Sequence, residues 1–401
     1  MSLLIAHATR ATRLLLACLA SAFVGCGGGG ENAQPNSTPT NTVVVAANGG
    51  TIGGASNTLG AAATLGSCAA FPSDAVFNTR VDSLPVHAQS STWITGIGTN
   101  VAFHGDWGRN EDQADWSNYF GIPINTIDGA SLLDTNWPTV NFSITDPRAG
   151  NGDGVPEESD CASIVQGTAQ RPCSAVAAAS RRFPYPQPTR LKAEYGACND
   201  AQQCGDRHVL VVDQRTCTLW ESYYSYQVSG QWFAYSTAAW DLNELTLRPD
   251  TWTSGDAAGL PIAPLIARAG EASAGEMNHA LRVTFQDGLL DRSYQWPARH
   301  AAGGATPGGI PFGAVLRLQA SFTIPSHWTL QSKTIARAMQ RYGVYVADIG
   351  SNFFVQGEPS ALWDPATRGQ LGTIRLQNME FVDITPWQSR PGWNGNSLRV
   401  P

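Results

Sequence analysis

The sequence predicts an all-β protein: an antiparallel β-sandwich or jelly-roll-like assembly with one or two short helices. Three observations carry that expectation. Short apolar runs alternate with polar residues at a period of two, as in Thr218 to Tyr226 and Val315 to Ala320, and Gly, Pro, Asn and Asp punctuate them. No strand–helix–strand alternation occurs, which argues against a parallel Rossmann or barrel architecture. One stretch of good helical period stands out, Thr329 to Tyr342, where Leu330, Ile335, Met339 and Tyr342 form an apolar stripe that Gly343 stops.

From the start of the chain, Arg10 and Arg13 precede an apolar run, Leu14 to Val24, that ends in Phe-Val-Gly-Cys at Cys26. This order reads as a secretory signal, and the run is too short for a membrane-spanning helix. The Gly25-Cys26 junction resembles the bacterial lipoprotein signal. That resemblance implies cleavage before Cys26, lipidation of its thiol, and a bacterial cell-envelope protein attached to a membrane through the lipid alone. Residues 1–25 are then signal peptide. Residues 26–67, rich in Gly, Asn, Ser, Thr, Ala and Pro, read as a flexible tether that cannot offset its ordering entropy. Residues 68–401 remain for a single compact β-rich domain, of one body or two abutting lobes.

Strands are expected at Phe71 to Arg80, Ser91 to Val101, Gly121 to Ile127 and Asn136 to Ile144. Residues 145–204 are rich in Asp, Gly, Pro and Ser. Within them, Asn151-Gly-Asp-Gly154 with Glu157, Glu158 and Asp160 offers the oxygen ligands that calcium takes. Ala149 stands at the first ligand position and Pro156 interrupts the loop, so an acidic, solvated loop is the leading reading and calcium the alternative. Beyond it, Arg207 to Val212 and Thr218 to Tyr226 form the clearest strand pair. In the second, Leu219, Glu221, Tyr223 and Ser225 share one face and Trp220, Ser222, Tyr224 and Tyr226 the other. Gly230 to Ala234, Asn278 to Phe285, Val344 to Asp348, Asn352 to Gln356 and Phe381 to Thr385 continue the strands. Short helical pieces are expected at Ala263 to Ala269 and Pro365 to Gly372.

Leaving aside Cys18 and Cys26, six cysteines remain: Cys68, Cys161, Cys173, Cys198, Cys204 and Cys217. An even number in an exported chain argues for three disulfides, although six thiols allow fifteen pairings. Proximity favours Cys198 with Cys204 and Cys161 with Cys173, which leaves Cys68 to meet Cys217. Their acidic company does not look like zinc ligation, and no metal site is expected from them.

Removal of residues 1–25 takes two arginines and leaves a net charge near −9, 23 basic against 32 acidic residues, with Lys192 and Lys333 as the sole lysines. A nucleic-acid binder would carry a basic footprint, and none exists. Thirteen tryptophans and ten tyrosines are many for so few charges. They serve either core packing or stacking on the C–H faces of sugar rings.

Ionisable side chains gather between Gly205 and His300. A glycoside hydrolase needs two carboxyl groups flanking the scissile bond, one protonated and one charged. Glu276 is the first candidate, with Asp213, Glu221 and Asp348 as rivals for the second and His279 beside it. A lyase acting on a uronic-acid polymer would use Arg to neutralise the sugar carboxylate and His or Tyr to take a proton. Arg207, His208, His279, Arg299, His300 and Tyr342 could supply that chemistry, with Trp296 as a stacking surface. The purely structural account pairs Glu276 with Arg282 and makes His279 a hydrogen-bonded sheet residue. No Gly-x-Ser-x-Gly elbow, His-Glu-x-x-His motif or dinucleotide fingerprint is present. The expectation is an enzyme acting on extracellular polysaccharide, hydrolase ahead of lyase. A non-catalytic carbohydrate-binding, adhesion or structural envelope lipoprotein is the alternative.

A further set of segments is Pro85-Val-His-Ala-Gln-Ser90, Gly205-Asp-Arg-His-Val-Leu-Val-Val-Asp213, Cys217-Thr-Leu-Trp-Glu221, Leu247-Arg-Pro-Asp-Thr-Trp-Thr-Ser254, Gly275-Glu-Met-Asn-His-Ala-Leu-Arg282, Trp296-Pro-Ala-Arg-His300 and Arg341-Tyr-Gly343. Through these, Phe71 to Asp383 resembles a widespread family of secreted bacterial and fungal proteins, departing from it at Ile349. The resemblance implies a shared fold and an extracellular habit, and assigns no residue a role.

Overall fold

The computed structural model describes residues 63–128, 137–143, 153–162, 169–187 and 190–401. The signal segment, Cys26, the tether up to residue 62 and Asn151 and Gly152 of the calcium candidate lie outside them. Described structure begins ahead of Cys68: Thr64–Leu65 pairs antiparallel with Cys68–Ala69.

Ten strands build two larger sheets: β1 His104–Asp106, β2 Ile124–Ile127, β3 Val209–Asp213, β4 Thr218–Tyr223, β5 Ser236–Asp241, β6 Leu281–Phe285, β7 Val315–Leu318, β8 Val344–Ile349, β9 Phe354–Gln356 and β10 Met379–Val382. The first sheet runs β5-β4-β3-β2 and the second β10-β7-β8-β6-β9-β1. Both are mixed, which corrects the expectation of purely antiparallel pairing: β2 lies parallel to β3, β6 to β8, and β1 to β9. The physical reason is connection length. Long excursions such as 127 to 209 and 285 to 344 let the chain return in the same direction, which a tight hairpin forbids.

Six α-helices occur among the described residues rather than one or two: α1 Ser90–Ile97, α2 Ala201–Cys204, α3 Ala269–Ala274, α4 Leu330–Arg341, α5 Thr367–Leu371 and α6 Thr385–Gln388. Helix α4 falls where the apolar stripe placed it. Its Thr329 side chain caps Ser332 N, and Gly343 follows with φ of +77°, where an added Cβ would lie 2.7 Å from Leu316 O. Helix α1 replaces an expected strand. Its β-branched residues suggest extension, but Trp93, Ile94 and Ile97 are buried on one side of a helix, and tertiary packing overrides local preference.

Period-two alternation in the first sheet sorts its side chains between two cores. Leu210, Val212, Leu219 and Trp240 join the large core, to which Leu281, Val283 and Val346 of the second sheet also belong. Val209, Val211, Trp220 and Ala239 face a smaller core with Trp137, Phe183 and Trp232. Trp220 is wholly buried, with Trp137 and Phe183 edge-on at 5.8 Å each. Ten of the thirteen tryptophans are buried, so packing explains most of them. The three disulfides are Cys68–Cys217, Cys161–Cys173 and Cys198–Cys204.

Candidate functional site

The residues singled out from the sequence do not form one groove. Glu276 is exposed beside Met277 and Asn278, in a depression formed with Arg337 and Arg341 of α4. His279 is buried, with Nε2 2.9 Å from Glu271 Oε2 and Nδ1 2.7 Å from Ala280 O. Arg282 does not pair with Glu276. Asp213 is buried at the end of β3, where its Oδ1 accepts from Arg215 N. Arg207 is buried, donates to the carbonyls of Cys198 and Ser225, and lies over the Tyr226 ring. Arg299 holds the C-terminal tail through Gly395 O and Asn396 Oδ1. Trp296 gives its indole N–H to Ser397 O and packs against Trp387 and Trp393, so it is no open stacking surface. His300 sits 3.0 Å from Ala257 O, and the buried Tyr342 donates to Asn278. Asp160 of the calcium candidate is buried between Arg171 and Arg248. Among the described residues, no group of three or more His, Cys, Asp or Glu is arranged to hold a metal ion.

Three candidates do converge: Glu221, Asp348 and His208. They meet Asp106, Glu194, Asp206, Asp256, Arg282 and Gln356 in one polar cluster fed by both sheets. Asp106 on β1 stands directly opposite Gln356 on β9, so their side chains share a face. Arg282 on β6 reaches Gln356 Oε1, and its other terminal nitrogen lies 3.3 Å from Asp256 Oδ2 and 3.2 Å from Asp348 Oδ2. From the first sheet, Glu221 accepts the backbone N–H groups of Ile262 and Ala263 on Oε1, while its buried Oε2 has no hydrogen-bond partner. His208, just before β3, lies 2.7 Å from Glu194 Oε2 and 2.8 Å from Gly255 O.

The charges are uneven. Burial alone would pull the His208 pKa down, but the charge and hydrogen bond of Glu194, backed by Asp206 and Asp348, lift it to about 9. Burial likewise opposes the Glu194 carboxylate, and the charge and hydrogen bonds of His208 overcome it and hold its pKa below the ordinary value. Asp106 is different. Burial and the neighbouring Glu194 push it up to about 6, against the pull of Arg368 and Arg282. Burial raises Glu221 to about 7 against two backbone hydrogen bonds, and raises Asp256 to about 7 against Arg282. Asp206 is an exposed residue, yet the protein around its carboxyl lifts it to about 6, with His208 opposing and Glu194 and Asp348 assisting.

Towards solvent the cluster presents Asp106, Glu194, Asp206 and Asp348, with side-chain exposures of 13% for Glu194 and 20% for Asp348. Tyr195, Tyr223 and Tyr235 are partly exposed nearby; the Tyr223 ring is 5.4 Å from that of His208, and its hydroxyl donates to Asp206 at 3.3 Å. The arrangement therefore sets a carboxyl that gives up its proton late, Asp106, within electrostatic reach of a carboxylate held in its charged form, Glu194.

Asp106, Glu194, Asp256 and Gln356 were not reachable as a set from the sequence. They lie in four separate segments, and a bulge in β6–β8 pairing between Val283 and Thr284 decides where Asp348 falls. One signal was available: Asp106 sits in His104-Gly-Asp-Trp-Gly108, between the apolar Val101 to Phe103 and the buried Trp107. Comparison with family models, with curated proteins and with solved structures gives no match to the chain.

Proposed function

We propose that the chain is an extracellular polysaccharide hydrolase, held at the bacterial cell envelope through a lipid on Cys26. The observation that supports the reading most is the pairing of opposites at the cluster: Asp106, with its raised pKa, near Glu194, whose pKa is lowered. Glycosidic cleavage uses one carboxyl of each kind, the first to protonate the leaving oxygen and the second as base or nucleophile. Asp106 takes the acid role, and Glu194 or Asp348 the other. The part-exposed Tyr195, Tyr223 and Tyr235 offer rings for sugar C–H faces. The lyase alternative loses ground because Arg282, the cluster's arginine, is fully buried and occupied by Asp256, Asp348 and Gln356.

A non-catalytic envelope or carbohydrate-binding role has its own support. Glu221, Asp256 and Arg282 are completely or nearly buried and each is hydrogen-bonded within the protein, as in a structural polar core. The two sheets that share the large core support a sandwich reading of the fold.

Purified protein incubated with neutral and acidic polysaccharides, followed by reducing-end and unsaturated-uronide detection, tests the proposal. New reducing ends without unsaturated product are expected. Unsaturated product would establish a lyase, and binding without any product would establish the non-catalytic role.

A further inference from the structure

A groove of about 470 Å³ lies beside the cluster, lined by Phe103, His104, Arg109, Trp363, Asp364 and Arg368 among others. Two guanidinium groups enter its lining. Arg171, Arg248, Arg268, Arg282 and Arg317 are each tied to a carboxylate, whereas Arg109 and Arg368, like Arg337 and Arg341 of α4, are exposed and form no ion pair among the described residues. Asp364, the acid in the lining, turns Oδ1 to Ala366 N at 2.8 Å. The indole N–H of Trp363 is spent on Glu358 O, so Trp363 is an apolar wall. His104 stacks on Phe354 with ring centroids 3.8 Å apart. Burial and then Arg368 lower its pKa, which favours a neutral imidazole that can donate one N–H without adding charge.

We propose that this groove is a subsite for an oxyanion carried by the glycan, a carboxylate or a sulfate, gripped by Arg109 and Arg368 with His104 as a neutral donor. Position links it to the reading above, on which the identity of the occupant rests: His104 and Asp106 are two residues apart on β1 and project from the same face. A polymer drawn across Asp106 therefore continues over the groove. Planar guanidinium pairs suit planar or tetrahedral oxyanions better than lysines would.

Binding rather than turnover tests this. The full chain and its D106N variant are titrated with oligogalacturonate, with the same oligomer after carboxyl reduction, and with a sulfated counterpart. Oligogalacturonate is expected to bind at least about tenfold tighter than the reduced oligomer, to weaken with added salt, and to lose about tenfold in R109Q/R368Q. Arginine-dependent binding of the sulfated oligomer as well assigns the subsite to oxyanions in general; binding of the carboxylate form alone assigns it to uronic acids. Equal binding of charged and reduced oligomers, or unchanged binding in R109Q/R368Q, overturns the proposal. Arginine-dependent binding without hydrolysis of any glycan would remove the hydrolase reading and leave the subsite standing.

Discussion

The imidazole of His208 stands between two acceptors, Glu194 Oε2 at 2.7 Å and Gly255 O at 2.8 Å. A carbonyl oxygen only accepts, so the ring donates from Nε2, and a carboxylate at Nδ1 asks the second nitrogen to donate as well. The pair is thus a buried imidazolium and carboxylate that fix the 194 loop against the start of β3.

Linkage gives this pair a pH signature. The raised pKa of His208 means its contribution to stability is complete below about 6.5 and is lost as pH rises through about 9. The lowered pKa of Glu194 means its contribution is complete above about 4.5 and is lost as pH falls through its folded value. Thermal melts of H208Q should show a lower Tm at neutral pH, with a cost of about 3 kcal/mol from the stranded carboxylate. The same melts should lack the alkaline decline. An H208Q curve parallel to wild type from pH 6 to about 10 would refute the assignment.

Glu221 is expected to behave in the opposite sense to Glu194. Its folded pKa of about 7 exceeds the unfolded value near 4.5, so the folded state binds more protons between them and stability falls as pH rises through that window. E221Q should remove this slope, standing equal to or above wild type at pH 8 and below it near pH 5 in denaturant midpoints. The slope to be lost is at most about 1.4 kcal/mol per pH unit.

If Asp106 is the proton donor, turnover should decline as pH rises through about 6. D106N should then lose about 10² to 10⁴ in kcat. Its Tm should stay close to wild type, since no hydrogen bond of the folded state is given up by the Asp106 carboxyl among the described residues. Activity of D106N within a factor of about two of wild type would exclude the acid role.

How much of the fold and the cluster could be read in the sequence depends on which signals are local. The strand pair Val209–Asp213 and Thr218–Tyr223 was legible because alternation writes burial directly into residue order: Leu219 and Trp220 do enter different cores. Helix α4 was legible for the same reason at a different period. The disulfides followed from proximity, which identified two pairs and left the long one by elimination. Parallel pairing, by contrast, depends on where long connections return, and nothing near β2 or β6 encodes that. The polar cluster is harder still, because Asp106 on β1 meets Glu194 and Asp256, both in connections between strands, only through the tertiary fold. Glu276 looked like a site residue because of its company in sequence, whereas its exposed position beside α4 is set by tertiary packing.

The disulfides should differ in worth. The chain-entropy account gives the Cys68–Cys217 link, spanning 149 residues, about 5 kcal/mol, against about 2 for Cys198–Cys204, spanning 6. Denaturant unfolding of C68S/C217S and C198S/C204S compares them directly. A smaller loss for the first double mutant would show that strain or residual structure, rather than loop length, governs their contributions.

The same link has a mechanical consequence. Tension entering from the N-terminal side reaches Cys68 and passes covalently to Cys217, in the connection between β3 and β4. Along the covalent path the intervening chain, which contains β1, β2 and β3, is bypassed while the bond is intact. A protein hung by its N-terminus would then pass its load covalently to β4, and not along the backbone that carries Asp106 and Glu194.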